Sequence, residues 1–332
     1  MGWDTNIKLA VLLGSATAAA VTLAAVFLFM REREKKRKTR QGSYVEVGKV
    51  SQIFLYPLKS GRGWDLQQAE STRIGLRHDR VRDRQWMIVD ERNDFITARQ
   101  ERTLVLVTSR LDPDGHLSLD APGMPTLKVP VGLTEGMVVK ARVWGQEGEA
   151  IDCGDEAADW CSTYLKKPNC RLCYCADHLR KRRLEDDADY GNLAKPGEEV
   201  GFQDLGQYLM ISEASLDNLN AKLEQPVTSR NFRPNIMVSG CATHAEDSWK
   251  FVKIGDAEFR ALKPCTRCVL TTIDPETGVR MGAEPLKTLR RYRQTYGPLR
   301  KLIGDTPLFG TNLVTEKEGT IHVGDTVFAS YD

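Results

Sequence analysis

Histidine is scarce in this 332-residue chain: His78, His116, His178, His244 and His322 are all there are, and no two make a His-x-x-x-His pair. That excludes the helical His/Glu set of catalytic zinc enzymes. There is no Gly-x-Gly-x-x-Gly or Walker-type loop and no Gly-x-Ser-x-Gly elbow, which argues against a self-contained nucleotide enzyme or a serine hydrolase. A charge surplus is missing too. The net charge is +2, and residues 31–40 alone hold seven basic side chains against two glutamates, so the rest of the chain carries about −3. A nucleic-acid binder carries a general basic excess, and this chain has none. Long apolar runs are absent with one exception.

The exception is Leu9–Met30, which spans 22 residues without a charge and as a helix is long enough to cross a bilayer core of about 30 Å. A cleaved signal peptide is the rival, because Ala16-Thr17-Ala18 and Ala18-Ala19-Ala20 resemble small-residue cleavage sites. The apolar run continues past those sites and the basic cluster follows it, so an uncleaved anchor is expected. Residues 1–8 are then a tail, 9–30 a transmembrane anchor and 31–44 a basic linker. By the positive-inside rule the cations from Arg31 to Arg40 keep the following domain cytosolic. Thiols there are reduced, so the eight cysteines are core residues, metal ligands or catalytic groups and not a disulfide framework.

The remainder reads as mostly β with some α, an α+β chain. Val45–Leu55 and Trp86–Val89 are strand-like, and residues 95–154 hold short β-rich segments broken by turns such as Asp112-Pro113-Asp114-Gly115 and Trp144-Gly145. Gly154–Lys166 has helical spacing. Arg180–Arg183, followed by Glu185, Asp186, Asp187 and Asp189, reads as a charged surface connection. It divides the chain into a β-rich domain over 45–185 and a second domain over 186–332. In the second domain Ser212 is placed to cap a helix with Leu216, Leu219 and Leu223 on one face. Phe251–Leu262 reads as a hairpin turning at Gly255-Asp256, Glu284–Gln294 as a short basic helix, and Gly319–Phe328 as the closure of a β-barrel-like unit.

The densest chemistry lies in Ala261–Gly278. Cys265 and Cys268 bracket Arg267, an apolar Val-Leu-Thr-Thr run follows, and Asp274-Pro275-Glu276-Thr277-Gly278 has the residues of a tight turn. The thiol is expected at the start of a strand, with Arg267 favouring the thiolate, the form that attacks or binds metal. The plainer alternative makes both cysteines small core residues. A four-thiolate zinc site from Cys170, Cys173, Cys265 and Cys268 is another, although the two pairs lie far apart in sequence. Lys59-Ser60 in a Gly/Pro-broken loop, Arg84 before a buried strand, and Arg233 with Asn235 at a strand entrance supply cationic and amide groups that receive anions. With one activated cysteine, these groups suit a soft metal carried by an anionic cofactor.

Lys263–Gly278, with Tyr56-Pro57-Leu58-Lys59-Ser60, Asn231-Phe232-Arg233-Pro234-Asn235, Ala245-Glu246-Asp247-Ser248-Trp249 and Pro307-Leu308-Phe309-Gly310, resembles the MOSC family of molybdenum-cofactor proteins from about Val47 to the C-terminus. The resemblance implies a MOSC N-terminal β-rich domain followed by a MOSC β-barrel that binds Mo-molybdopterin. It implies Cys268 as the catalytic thiolate on molybdenum, with Lys59, Ser60, Arg84, Arg233, Asn235, Thr266 and Arg267 around the pterin and its phosphate. Leu205-Gly206 stands where mammalian members carry Thr-Ser, which leaves backbone contacts only, and Asn312 stands where they carry tyrosine. The implied activity is reduction of N-hydroxylated compounds, amidoximes and hydroxylamines among them, to amidines or amines at the mitochondrial outer membrane, facing the cytosol. The implied electron source is NADH through cytochrome b5 reductase and cytochrome b5. Basic groups at Arg180–Arg183, or at Arg290, Arg291 and Arg293, are expected to meet the acidic cytochrome. Asp274, the nearest carboxylate in sequence to Cys268, is a turn stabiliser or a proton donor. Two other readings remain: a MOSC cofactor-binding or sulfur-transfer module without reductase activity, and a zinc-stabilised membrane adaptor.

Overall fold

Apolar residues on seven strands, β1 (Val45–Leu55), β2 (Tyr208–Ser212), β3 (Ile236–Ser239), β4 (Phe251–Ile254), β5 (Ala257–Thr266), β6 (Leu308–Lys317) and β7 (Thr326–Ser330), organise the chain. Their order is β3-β2-β6-β5-β4-β7-β1, and a β1–β3 pairing closes the ring. Closure pairs both edges of the seven-strand ring, and the short strand Trp64–Leu66 adds to the end of β1. The computed structural model describes residues 31, 44–295, 300–301 and 304–331. The anchor expected over Leu9–Met30 lies outside them, and among the described residues no helix is long and apolar enough to cross a membrane.

Backbone pairing runs across the 185/186 position. β1 precedes it in the chain yet pairs antiparallel with β3, with Ile53 opposite Ile236. β2 and β3 are parallel, Met210 opposite Ile236, so a crossover must join them. Helix α2 (Glu213–Asn220) begins that crossover, and Ser212 caps it as expected, its Oγ accepting from Ser215 N–H at 3.2 Å. The hairpin turning at Gly255-Asp256 also forms, with Ile254 opposite Ala257. Of the Gly319–Phe328 stretch only β7 enters the barrel, because Gly319–His322 leaves it to pair with Gln68–Thr72.

The first half builds further sheets around this ring. Val138–Val143, Gln146–Asp152, Arg171–Tyr174 and Trp86–Val89 form a four-stranded antiparallel sheet, and helix α1 (Asp155–Leu165) follows its second strand. Trp86 is fully buried there, 5.1 Å from the Tyr174 ring. Cys170 and Cys173 are buried in or beside this sheet, and burial pushes the Cys173 thiol up to about 12. Arg180–Arg183 is only half the solvated basic patch that its sequence implies: Arg180 and Arg183 are exposed. Lys181 and Arg182 are buried, and Arg182 Nε donates to Gly201 O at 3.1 Å, because residues 182–183 pair as a strand with Glu199–Val200. Main-chain carbonyls, not solvent, hold those two cations.

Gly310 explains one recurring motif position. Its φ is +75°, and a Cβ there would lie 2.5 Å from Ile211 Cγ1 and 2.6 Å from Met210 O. Both the left-handed backbone and the contact penalise any side chain. Gly310→Ala is expected to lower stability by about 2–4 kcal/mol, read as a drop in the denaturant midpoint with an unchanged slope.

Candidate active site

The chain leaving β1 is tied at once to the strand Trp86–Val89. Tyr56 N–H donates to Asp83 Oδ1 at 2.9 Å, and Lys59 N–H donates to Trp86 O at 2.8 Å. Three of the expected site residues, Ser60, Arg84 and Arg233, hold left-handed φ values of 71°, 49° and 56°. None is glycine, so each carries a backbone cost of about 1 kcal/mol or more. The strain aims two arginines at one place. The guanidinium carbons of Arg84 and Arg233 lie 4.4 Å and 4.2 Å from the Tyr56 ring centroid.

Arg84 is ion-paired with buried Asp83 and reaches Asn235 Oδ1 and Arg233 O, each at 3.3 Å. Arg233 donates Nη1 to Gly61 O at 2.7 Å, but its Nη2 is buried with no hydrogen-bond partner among the described residues. Burial, followed by the Arg84 charge, pulls Arg233 down to about 10. A buried cationic N–H without an acceptor is costly, and an anion removes that cost. Asn235 behaves differently from the expectation. Its Nδ2 donates to Phe54 O at 3.2 Å and to Asp83 Oδ1 at 3.0 Å, and its Oδ1 accepts from Leu209 N–H at 3.2 Å. It therefore holds Asp83 and Arg84 in place, with no donor left for a ligand.

Lys59 is buried and donates to Phe202 O and Asp204 Oδ1, each at 2.7 Å. Burial lowers its pKa to about 8, against the opposing pull of Asp204. The Ser60 hydroxyl oxygen accepts from Ala98 N–H at 3.1 Å.

The cysteine stretch corrects two expectations. Cys268 does not start a strand: it follows the end of β5 and precedes a 3-10 turn over Val269–Thr272. Arg267 points inward, Nε and Nη2 donating to Phe309 O at 2.8 and 2.6 Å and Nη1 to Phe232 O at 3.0 Å. Its guanidinium clamps three segments together, which leaves the Cys268 thiol turned outward. β5 reaches that point through register irregularities against β6, at Ala261/Lys263 and Pro264/Thr266, and such bulges re-aim side chains at strand ends. Of the eight cysteines, Cys268 alone is exposed. Asp274 Oδ1 accepts from the N–H groups of Glu276 and Thr277, a turn-stabilising role. Among the described residues no group of three or more His, Cys, Asp or Glu side chains is placed to hold a metal ion. The four-thiolate site is thus not assembled, since Cys170 and Cys173 belong to the first-half core.

One cavity of about 500 Å³ collects what the sequence left scattered. Lys59, Ser60, Arg84, Leu205, Gly206, Arg233, Asn235, Thr266, Arg267, Cys268 and Asn312 all line it. Gly206 lets the backbone approach β6, for a Cβ there would meet Leu313 O at 2.9 Å. Other lining residues escaped the sequence reading. Asp204 gives no local signal, because its partner Lys59 lies 145 positions away. Arg99 and Lys263 look like ordinary surface cations in sequence, yet Lys263 is buried and its Nζ lies 4.5 Å from the Tyr190 ring centroid. Trp144 reads only as part of a turn.

Residues 47–168 match the MOSC N-terminal beta barrel domain, and residues 197–328 match the MOSC domain. The chain is 43% identical over 312 residues to mitochondrial amidoxime-reducing component 1 of Homo sapiens, covering 93% of this chain and 91% of that protein. It is 40% identical over 311 residues to mitochondrial amidoxime-reducing component 1 of Mus musculus, with 93% and 90% covered. Mitochondrial amidoxime reducing component 2 of Rattus norvegicus is 40% identical over 318 residues, with 95% and 93% covered. With both domains matched in order and relatives aligned almost end to end, the chain belongs to the MOSC-domain family of amidoxime-reducing components.

Proposed function

We propose that this protein is a molybdenum-cofactor reductase of N-hydroxylated compounds, converting amidoximes and hydroxylamines to amidines and amines. The observation that carries this reading is one cavity holding both the exposed thiol Cys268 and the buried, partnerless Nη2 of Arg233. A thiolate ligates a soft metal, and a buried unpaired guanidinium N–H takes an anionic oxygen. Cys268 would be the protein ligand to molybdenum. Arg233, Arg84 and Lys59 would hold the anionic part of the pterin, with the main chain at Leu205-Gly206 and the side chain of Asn312 beside it. When bound, the cofactor supplies the electrons that cleave the N–O bond. The reaction consumes two electrons and two protons and releases water and the N–H product.

The two electrons are proposed to arrive from carrier proteins outside the chain. On the sequence resemblance, NADH, cytochrome b5 reductase and cytochrome b5 are taken as the route; the relatives' names speak for mitochondria, and the charge-free Leu9–Met30 run is the reason for proposing an anchor in the outer membrane. The reading is tested by combining the full chain, purified with its metal, with both carriers, NADH and benzamidoxime. Benzamidine formation that stops when either carrier is omitted is expected. A metal-loaded chain that reduces nothing, even with a chemical reductant, contradicts the reading and favours a cofactor-binding or sulfur-transfer module.

The Lys59 shift sets a pH dependence. In the ligand-free chain Lys59 is protonated below about pH 8 and neutral above it, so its attraction for an anion is full at pH 7 and fades as pH rises through 8. Affinity for sulfate, whose charge is constant over this range, measured by calorimetry is expected to fall between pH 7 and 9. Lys59→Gln is expected to bind more weakly at pH 7 and to flatten the profile.

A further inference from the structure

Trp144 sits where the fold does not ask for it. It opens the two-residue turn between Val138–Val143 and Gln146–Asp152, whose ends pair as Val143 opposite Gln146. Trp144 has φ +53° and Gly145 has φ +80°, a pairing that strongly favours Asn-Gly and strains a bulky side chain. The indole nevertheless stays 55% exposed while lining the cavity. Its burial therefore does not repay the strain, and strain of this kind points to a function.

Its surroundings fix its orientation. Trp144 Nε1 donates to Asp204 Oδ1 at 3.1 Å, the same oxygen that accepts from Lys59. The Phe95 ring meets it edge-on at 5.3 Å. Arg99 Cζ lies 4.3 Å from the indole centroid and 5.4 Å from that of Phe95. Arg99 lines the cavity too; among the described residues its guanidinium makes no hydrogen bond and no ion pair within 4 Å, and its charge is felt by Asp204, whose carboxyl it helps to hold down. Arg99 is held by ring faces with its N–H groups left over, an arrangement suited to receiving a carboxylate.

We propose that Trp144 and Arg99, backed by Phe95, form the substrate-reading wall of the cavity, which selects N-hydroxylated compounds built on a flat aromatic ring and favours those bearing an anionic substituent. This rests on the reductase reading above and assigns its specificity. The division between floor and rim supports it. Lys59, Ser60, Asn235 and Arg267 are each under a tenth exposed and form a floor for a resident group. Trp144 stands where the cavity meets solvent and exchanging molecules pass. Stacking on the indole contributes for rings and nothing for short alkyl chains. A carboxylate on the ring adds a charge-assisted bond to Arg99.

The test uses the full metal-loaded chain with a chemical one-electron reductant, so no carrier protein is needed. The substrates are benzamidoxime, 4-carboxybenzamidoxime and acetamidoxime. Trp144→Asn suits the turn and is expected to keep molybdenum content and thermal stability. It should raise KM for both ring substrates by about tenfold, leaving kcat and the acetamidoxime KM within about twofold. Arg99→Gln should erase the preference for the carboxylated ring. Calorimetry of the oxidised protein, without turnover, should show the same ratios in Kd. Equal changes for ring and alkyl substrates, or loss of molybdenum from Trp144→Asn, would overturn the proposal, since the wall would then serve the fold or the cofactor. Wild-type protein inert toward all three substrates would instead sink the reductase reading. Calorimetry would still decide whether the wall prefers rings.

Discussion

Replacing Cys268 with alanine is expected to reduce turnover of any N-hydroxylated substrate to background, a loss of about a thousandfold or more, while the fold is unaffected. The thiol is exposed and lies between the end of β5 and a 3-10 turn held by other groups, among them Thr271 Oγ1, which donates to Cys268 O at 2.9 Å. Deleting an exposed sulfur creates no core cavity, so thermal stability should move by less than about 0.5 kcal/mol. Cys265→Ala serves as the control. Cys265 is half-buried against the apolar cluster that contains Phe232 and Phe309, and it lines the same cavity. Its loss should leave activity within about threefold, since a small packing change is all it entails. Parallel measurement of turnover, metal content and melting temperature checks the pair.

Arg233→Gly separates charge from strain at the heart of the anion cradle. Glycine accepts the +56° φ that arginine tolerates at a cost, which offsets part of the lost Gly61 O bond, so this variant should stay folded with stability within about 2 kcal/mol of the parent. It loses both the donor to Gly61 O and the partnerless Nη2. Charge-assisted bonds of this type are worth roughly 1.5–3 kcal/mol each. Pterin released from the purified variant should therefore fall by about tenfold or more relative to wild type. Arg233→Lys should restore little, because one ammonium cannot reach along two guanidinium directions. Unchanged pterin content in Arg233→Gly would remove Arg233 from the cofactor site.

Local physics made much of the fold legible. The strands at Val45–Leu55 and Trp86–Val89, the Ser212 cap and the hairpin at Gly255-Asp256 follow from short-range patterns, and they form where expected. What needs contacts far apart in sequence was not legible. The β1–β3 pairing that closes the barrel joins segments about 180 residues apart, for example Ile53 and Ile236. Arg182 reads as solvated, yet carbonyls bring it inside. Arg267 reads as an activator of the neighbouring thiol, yet it points away to Phe309 O and Phe232 O. Sequence adjacency to Cys268 says nothing about side-chain direction, which the irregular end of β5 decides. Lys59, Ser60, Arg84, Arg233, Asn235 and the Cys268 thiol were legible from their own chemistry, whereas Leu205, Gly206, Thr266 and Asn312 followed only from the resemblance; the cavity adds what neither supplied: Asp204 under Lys59, and the exposed indole at the rim.

The central claim is that this cavity holds molybdenum through Cys268. Its most direct test is elemental and pterin analysis of the full-length chain made in a host that synthesises the cofactor, with wild type, Cys268→Ala and Cys265→Ala side by side. About one molybdenum and one pterin per chain in wild type and Cys265→Ala, with molybdenum lost or inactive in Cys268→Ala, is the predicted result. A folded wild-type chain that carries zinc or no metal, or one whose molybdenum and activity both survive Cys268→Ala, would contradict the account.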